Sequence, residues 1–386
     1  MLKNRAFILF FIFSITLLSA IGTVSLPPVL PSIAKVFNIK LENIGLVMFI
    51  YTLPGILLTP LFGYFIDKYG RKVFLIPSLI FYAIFSFACF TAQSFEMLLV
   101  YRFLQGIAVA SLGSINILLI SDFFNSKEKN KMLGINSAVL SLGTAIFPLI
   151  SASLVKFGWN FPFLISTFAL PVALWGIFSY KEVKNTDLEN FVIKSTKNNV
   201  MRNYVYFFSI ISYIVLFGCF ITYLPFVIKM KLQGMPQHIG LSITFLSVGT
   251  IIIASMFDYL TKKINQMNLL AYSFLIQAIA LVILIVAPSI LIIFIASFLY
   301  GCGNALNFPN TQSLIVKLSD ENQLATNLSF NRMSVLIGQT IGPLLMGFII
   351  KFSNLETVFC IGISISILTF LFIYFIFIQK YKSFFN

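Results

Sequence analysis

Arg102 stands about five residues, roughly 8 Å of helix, inside an otherwise apolar run. A guanidinium at that depth is costly, and intramembrane charges mark ligand or ion pathways by default. Gln105, Gly106, Val109, Gly113 and Asn116 follow it at helical spacing, so one polar or small stripe extends along a single face. Asn304, Asn307 and Thr311 repeat the pattern later in the chain, and Thr16, Ser19, Thr23 and Pro27 form a third stripe near its start. Arg332 is the other charge set in apolar sequence. Amides, hydroxyls and isolated cations offer hydrogen bonds and charge to a ligand, or equally pack helices through small and polar residues. They offer no nucleophile–base pair.

Acids are missing where they would matter. All twelve, including Glu42, Asp67, Glu96, Asp122, Asp258 and Glu356, fall in breaks between apolar runs or at their ends. A cavity with Arg102 and Arg332 but no embedded carboxylate favours neutral or anionic compounds electrostatically. Cys89, Cys219, Cys302 and Cys360 lie far apart in apolar sequence, without metal-ligand spacing, and read as small hydrophobes. The single histidine, His238, falls at the start of an apolar run and reads as a solvated residue. Neither a metal nor a cofactor is expected.

The elements that position these residues are membrane helices. Of 386 residues, 59% are hydrophobic and 10% charged, with 45 phenylalanines and a mean hydropathy of +0.97. A soluble domain is nearer half apolar and a quarter charged. Apolar runs recur at the length needed to cross about 30 Å of hydrocarbon. They centre on 7–28, 43–64, 73–92, 97–120, 133–154, 161–180, 204–227, 239–259, 268–287, 291–314, 328–350 and 356–378. The basic start from Met1 and its apolar run resemble a secretion signal. Because the run continues past Ala20 to Leu30, we expect it to remain as the first span.

Charge placement predicts orientation. With both termini cytoplasmic, eighteen of the 26 basic residues lie in cytoplasmic segments and six in outer loops, the remaining two being Arg102 and Arg332. That bias obeys the positive-inside rule. It assigns the net charge of +14 to topology and anionic headgroups, not to nucleic acid. Residues 181–203 form the long polar break and are predicted to link two six-helix bundles, 1–180 and 204–386. An offset of 195 residues places Gly106 over Gly301, Gly143 over Gly338, Pro148 over Pro343 and Lys156-Phe157 over Lys351-Phe352 without a gap. A duplicated half with a site near the bilayer midplane follows.

Between the second and third runs the chain reads GYFIDKYGRKVFL, Gly63 to Leu75. Gly63, Asp67, Gly70, Arg71 and Lys72 resemble the signature of the major facilitator superfamily, at the signature's own topological position. Gly70 supplies backbone freedom for a short reversal, and Gly63 allows close helix approach. Asp67 can face a helix N-terminus of the other half while Arg71 pairs with a carboxylate such as Asp122. In the family this loop is a conformational latch, and the resemblance implies that role here; the alternative is topogenic charge plus a tight turn, since positive-inside residues belong at this position anyway. The second-half equivalent, Asp258 to Lys263, retains little of the signature.

Arg102, Gln105 and Gly106 are similar to a second family element, Arg-x-x-Gln-Gly in the fourth span. In the fifth span Gly143 and Pro148 match the helix-packing element of the proton-driven antiporters, but Phe147 stands in place of its second glycine. The eleventh span matches better, with Gly338, Gly342, Pro343 and Gly347. The resemblance covers essentially the whole chain and is closest to the twelve-span drug/proton antiporter branch.

It implies an all-helical transporter of the cytoplasmic membrane, working as a monomer by alternating access. The first reading is proton-coupled efflux of a small amphipathic or drug-like compound. Transport of a small organic anion or neutral metabolite is the alternative that the missing carboxylate keeps open. A membrane-embedded enzyme or receptor is the remote one, since no catalytic cluster is present.

Overall fold

The computed structural model describes residues 5–124, 126–179, 200–320 and 323–377. They are helical nearly throughout, and no strand occurs among them. Twelve helical segments are long and apolar enough to cross a membrane. They are Phe7–Val36, Leu41–Thr59, Arg71–Phe90, Phe95–Ile120, Lys131–Leu154, Phe161–Phe178, Val200–Lys231, Pro236–Ser255, Gln266–Val286, Ile290–Lys317, Thr326–Lys351 and Leu355–Phe375, hereafter the first to twelfth spans. Each coincides with one expected run.

Ends and breaks follow local chemistry. The Ser94 hydroxyl accepts from the Met97 amide at 3.2 Å and caps the fourth span, as Asn354 caps the twelfth. In the first span, Pro27 and Pro28 lack amide hydrogens, and the helix passes through a 3₁₀ turn there before resuming at Leu30. The seventh span widens to π geometry over Ile214–Ile221.

Two expectations on boundaries change. The signature segment is not a loop: the main helix of the second span, Leu46–Tyr69 and hereafter the second helix, runs through it and the next begins at Arg71, leaving Gly70 as the whole reversal. Its φ of 93° lies in the left-handed region that only glycine enters cheaply, which is how one residue suffices. The predicted linker, 181–203, falls outside the described residues up to 199, and 200–203 already form the first turn of the seventh span.

Contacts group the chain into two units: Met1–Ile39 with Leu46–Phe191, and Lys40–Gly45 with Val192–Asn386. The first encloses a core that includes Phe11, Ile15, Tyr51, Leu79, Tyr82, Leu112 and Leu119. The second encloses one around Phe208, Leu270, Phe274 and Leu314. In the second unit the short helix Leu41–Ile44 packs on the eleventh span, where Gly347 meets the carbonyl of Glu42.

The 195-residue offset reappears in the packing inside each unit. A Cβ on Gly106 would overlap the carbonyl of Tyr51, and one on Gly301 would overlap that of Leu246, 195 residues further on. Fourth on second span and tenth on eighth are therefore the same close contact, built twice.

Candidate functional site

The turn at Gly70 places Arg71 at the start of the third span, where its guanidinium pairs with Asp122 at the end of the helix that carries the fourth. The Asp122 side chain is 1% exposed and that of Arg71 16%, so the pair is largely withdrawn from water. Lys72 donates from Nζ to the carbonyl of Ile177 at 3.0 Å, near the end of the sixth span, where a cation suits the exposed carbonyls. The signature thus ties the third, fourth and sixth spans at one end of the first bundle. Gly63 and Asp67 lie on the second helix, and the position of the Asp67 side chain falls outside the described residues.

Arg102 lies farther in and is 1% exposed. Nη1 donates to Oε1 of Gln105 at 2.8 Å, and Nη2 to the carbonyl of Gly22 in the first span at 2.9 Å. Nε2 of Gln105 donates to the Ser86 hydroxyl at 3.0 Å, and Ser86 donates to the carbonyl of Phe163 at 2.7 Å. The Tyr51 ring lies under the guanidinium, 3.8 Å from Cζ. Gly106 explains that approach: with no side chain one turn beyond Arg102, the second span at Tyr51 comes up to the fourth. One arginine therefore binds the first and second spans to the fourth, and Gln105 carries the network into the third and sixth.

The remaining polar residues of the stripes resolve into contacts within each bundle. Asn116 donates to the carbonyl of Ile12 at 3.1 Å and to Oγ1 of Thr16 at 2.7 Å. Asn136, in the fifth span, donates to Oδ1 of Asn116 at 3.0 Å and accepts from Thr16, closing a ring over the first, fourth and fifth spans. Thr23 donates back along its own helix, to the carbonyl of Ala20 at 3.0 Å. In the second bundle Asn307 is fully buried and donates to Ser273 of the ninth span at 3.3 Å. Thr311, also fully buried, bonds within its helix to the carbonyl of Phe308. Asn304 is half-buried, with Oδ1 left without a partner in the protein. Arg332, on the eleventh span, has an exposed side chain, unlike Arg102.

The two packing elements differ in kind. Gly143 faces side chains, those of Leu17 and Phe147. Gly338 and Gly342 face backbone: Gly338 meets the carbonyl of Ile210, and a Cβ on Gly342 would stand 2.8 Å from the carbonyl oxygen of Ile214 and 2.9 Å from the amide of Gly218. Pro148 and Pro343 lie buried within their helices.

Tyr51, Ser86, Phe163 and Asn136 do not stand out in the sequence as site residues. Nothing local marks the first three, because a ring, a hydroxyl and a carbonyl on other spans acquire a role only through packing. Asn136 does carry a signal. Asn331 stands 195 residues on, and its Oδ1 accepts from Ser209 of the seventh span at 2.9 Å.

The chain's similarities agree with this architecture. A family model described as Major Facilitator Superfamily matches residues 12–290 and 236–383. The chain belongs to the major facilitator superfamily. Superfamily members carry small molecules across membranes, and the chain is accordingly a transporter and not an enzyme. Among relatives, it is 26% identical over 327 residues to Multidrug resistance protein 1 of Bacillus subtilis (strain 168), covering 83% of this chain and 84% of that one. It is 24% identical over 353 residues to Quinolone resistance protein NorA of Staphylococcus aureus (strain MRSA252), covering 90% of each. Among solved structures, a D-xylose–proton symporter matches with a TM-score of 0.80 at 14% identity, over 96% of this chain and 98% of that one. A bacterial homologue of the human lysosomal transporter Spinster, inward-facing and occupied, matches with a TM-score of 0.77 at 16% identity, over 97% and 95%. These superfamily neighbours share the fold.

Proposed function

We propose that this transporter expels small amphipathic, drug-like compounds by alternating access, in exchange for protons, from the cytoplasmic membrane with both termini inside. The observation that carries the reading is the likeness to two proteins named for drug resistance, which extends over most of each chain. The Arg71–Asp122 pair supports the latch role of the signature turn, and the eighteen-to-six distribution of basic residues supports the orientation. Asp67 and the pair would hold the inner side closed and release it once per cycle. The protein acts as a monomer.

A second reading rests on Arg102. It is a buried cation without a paired carboxylate among the described residues, and Glu42, Glu96 and Glu356 all sit in first turns of their helices. That arrangement favours a small organic anion or neutral metabolite over a cationic drug. Inside-out vesicles with an imposed proton gradient and a pH-sensitive dye separate the two, using cationic, neutral and anionic panels and the Arg102→Ala protein as control. Dissipation by cationic and neutral drugs, lost in the variant, is the expected result. A response confined to anions would replace it with metabolite transport.

A further inference from the structure

A cavity of about 10 Å³ adjoins Arg102, lined also by Gly22, Ser25 and Leu26 of the first span and by Phe163 and Ser166 of the sixth. Two of the polar residues lining it have a buried atom without a hydrogen-bond partner in the protein: Nε of Arg102 and Oγ of Ser25. Ser166 shares its hydroxyl with Tyr82 at 3.3 Å and can also turn a hydrogen inward. The volume admits one occupant of about the size of a water molecule.

Charge decides what kind of occupant the site suits. The partners of Arg102 are a carbonyl, an amide oxygen and the Tyr51 ring, all neutral. Among the described residues no carboxylate pairs with it; Asp122 is committed to Arg71, and Glu96 is exposed. A full positive charge at 1% exposure bears a large desolvation cost unless a counter-charge shares its surroundings. Guanidinium N–H and serine O–H groups are donors, which suits an acceptor-only ligand. We propose that this cavity is a binding site for one small monovalent inorganic anion, of which chloride is the physiological example, held by Nε of Arg102 and the hydroxyls of Ser25 and Ser166. The site belongs to the first bundle alone and stands whichever compound the transporter exports.

The test uses the purified full-length protein, melted in sodium chloride and in sodium gluconate at equal ionic strength. Chloride should raise the melting temperature saturably and gluconate should not. Ser25→Ala removes one donor to a charged ligand, so half-saturation should shift upward roughly tenfold. Ser25→Asp supplies a built-in anion and should abolish the chloride response while keeping the stability of the chloride-bound wild type. Crystals grown in bromide should show an anomalous peak beside Arg102, a readout that holds even if Ser25→Asp fails to fold. Identical wild-type melting curves in the two salts, or bromide-grown crystals without that peak, would overturn the site and leave the cavity to water.

Discussion

Gly106 lies against the carbonyl of Tyr51 so closely that its helix has no room there for a side chain. A methyl group at this position must push two backbones apart, and neither can yield by changing rotamer. Gly106→Ala should therefore destabilise the protein by about 1–3 kcal/mol, the range for overpacking, and Gly301→Ala should match it. Gly134 is the control: nothing lies within 4 Å of a Cβ there, so alanine should be neutral or slightly stabilising. Thermal melts of the three variants in detergent check the contrast.

The Arg71–Asp122 pair should behave as a unit. Removing Arg71 strands a carboxylate that is 1% exposed, and losing one partner of a buried pair costs about 3–5 kcal/mol. Because Arg71 retains some exposure, the lower end is expected. Arg71→Ala and Asp122→Asn should each lower initial transport rates at least about tenfold, a loss of 1.4 kcal/mol or more in the cycle's limiting step. In a double-mutant cycle the second substitution should add little to the first. Additive losses would assign the two residues to separate roles.

Tyr51 offers a finer test of the Arg102 network. Tyr51→Phe keeps an aromatic face 3.8 Å from the guanidinium, whereas Tyr51→Leu removes it. A desolvated cation–π contact contributes about 2 kcal/mol, so leucine should lower the melting temperature clearly more than phenylalanine does. Arg102→Lys should fail with Arg102→Ala in transport, since an ammonium cannot serve Gln105 and Gly22 with a planar fork while lying flat on the ring.

Asn136 and Asn331 should show the duplication in energetic form. Each joins its span to the first span of its own bundle, through Thr16 and Ser209 respectively. Asn136→Ala also leaves Oδ1 of Asn116 without its donor, so it should cost about 1–3 kcal/mol. Asn331→Ala removes one bond and should cost less. Chemical denaturation of the two variants measures the difference.

Much of the fold was legible because a bilayer imposes a length and an apolar content on every span, and all twelve spans satisfy both. The signature turn was legible because Gly70 must occupy a conformation that other residues avoid. The C-terminal end of the second helix was not, because Asp67, Lys68 and Tyr69 break the apolar run without breaking the helix. Arg102 stood out by its cost, yet its surroundings did not. The stripe from Arg102 to Asn116 suggested a wet cavity, while Asn116, Asn307 and Thr311 are buried in bonds to their own or neighbouring helices. Spacing along one helix tells which residues share a face. What that face meets depends on other helices.

Phe147 and Gly342 occupy equivalent positions in the duplicated halves, and their difference gives the halves unlike mechanical characters. In the first, the fifth span rests on the first through Leu17 and Phe147, side chains that can rotate and re-seat under load. In the second, the eleventh span meets the seventh at Gly218 and Gly342 along bare backbone, with nothing between to absorb a displacement. The first half is upholstered at this seam and the second is bolted. Drift in sequence should accordingly accumulate around Phe147, where a neighbour of different size is accommodated, and be purged around Gly342, where any side chain at all is an obstruction.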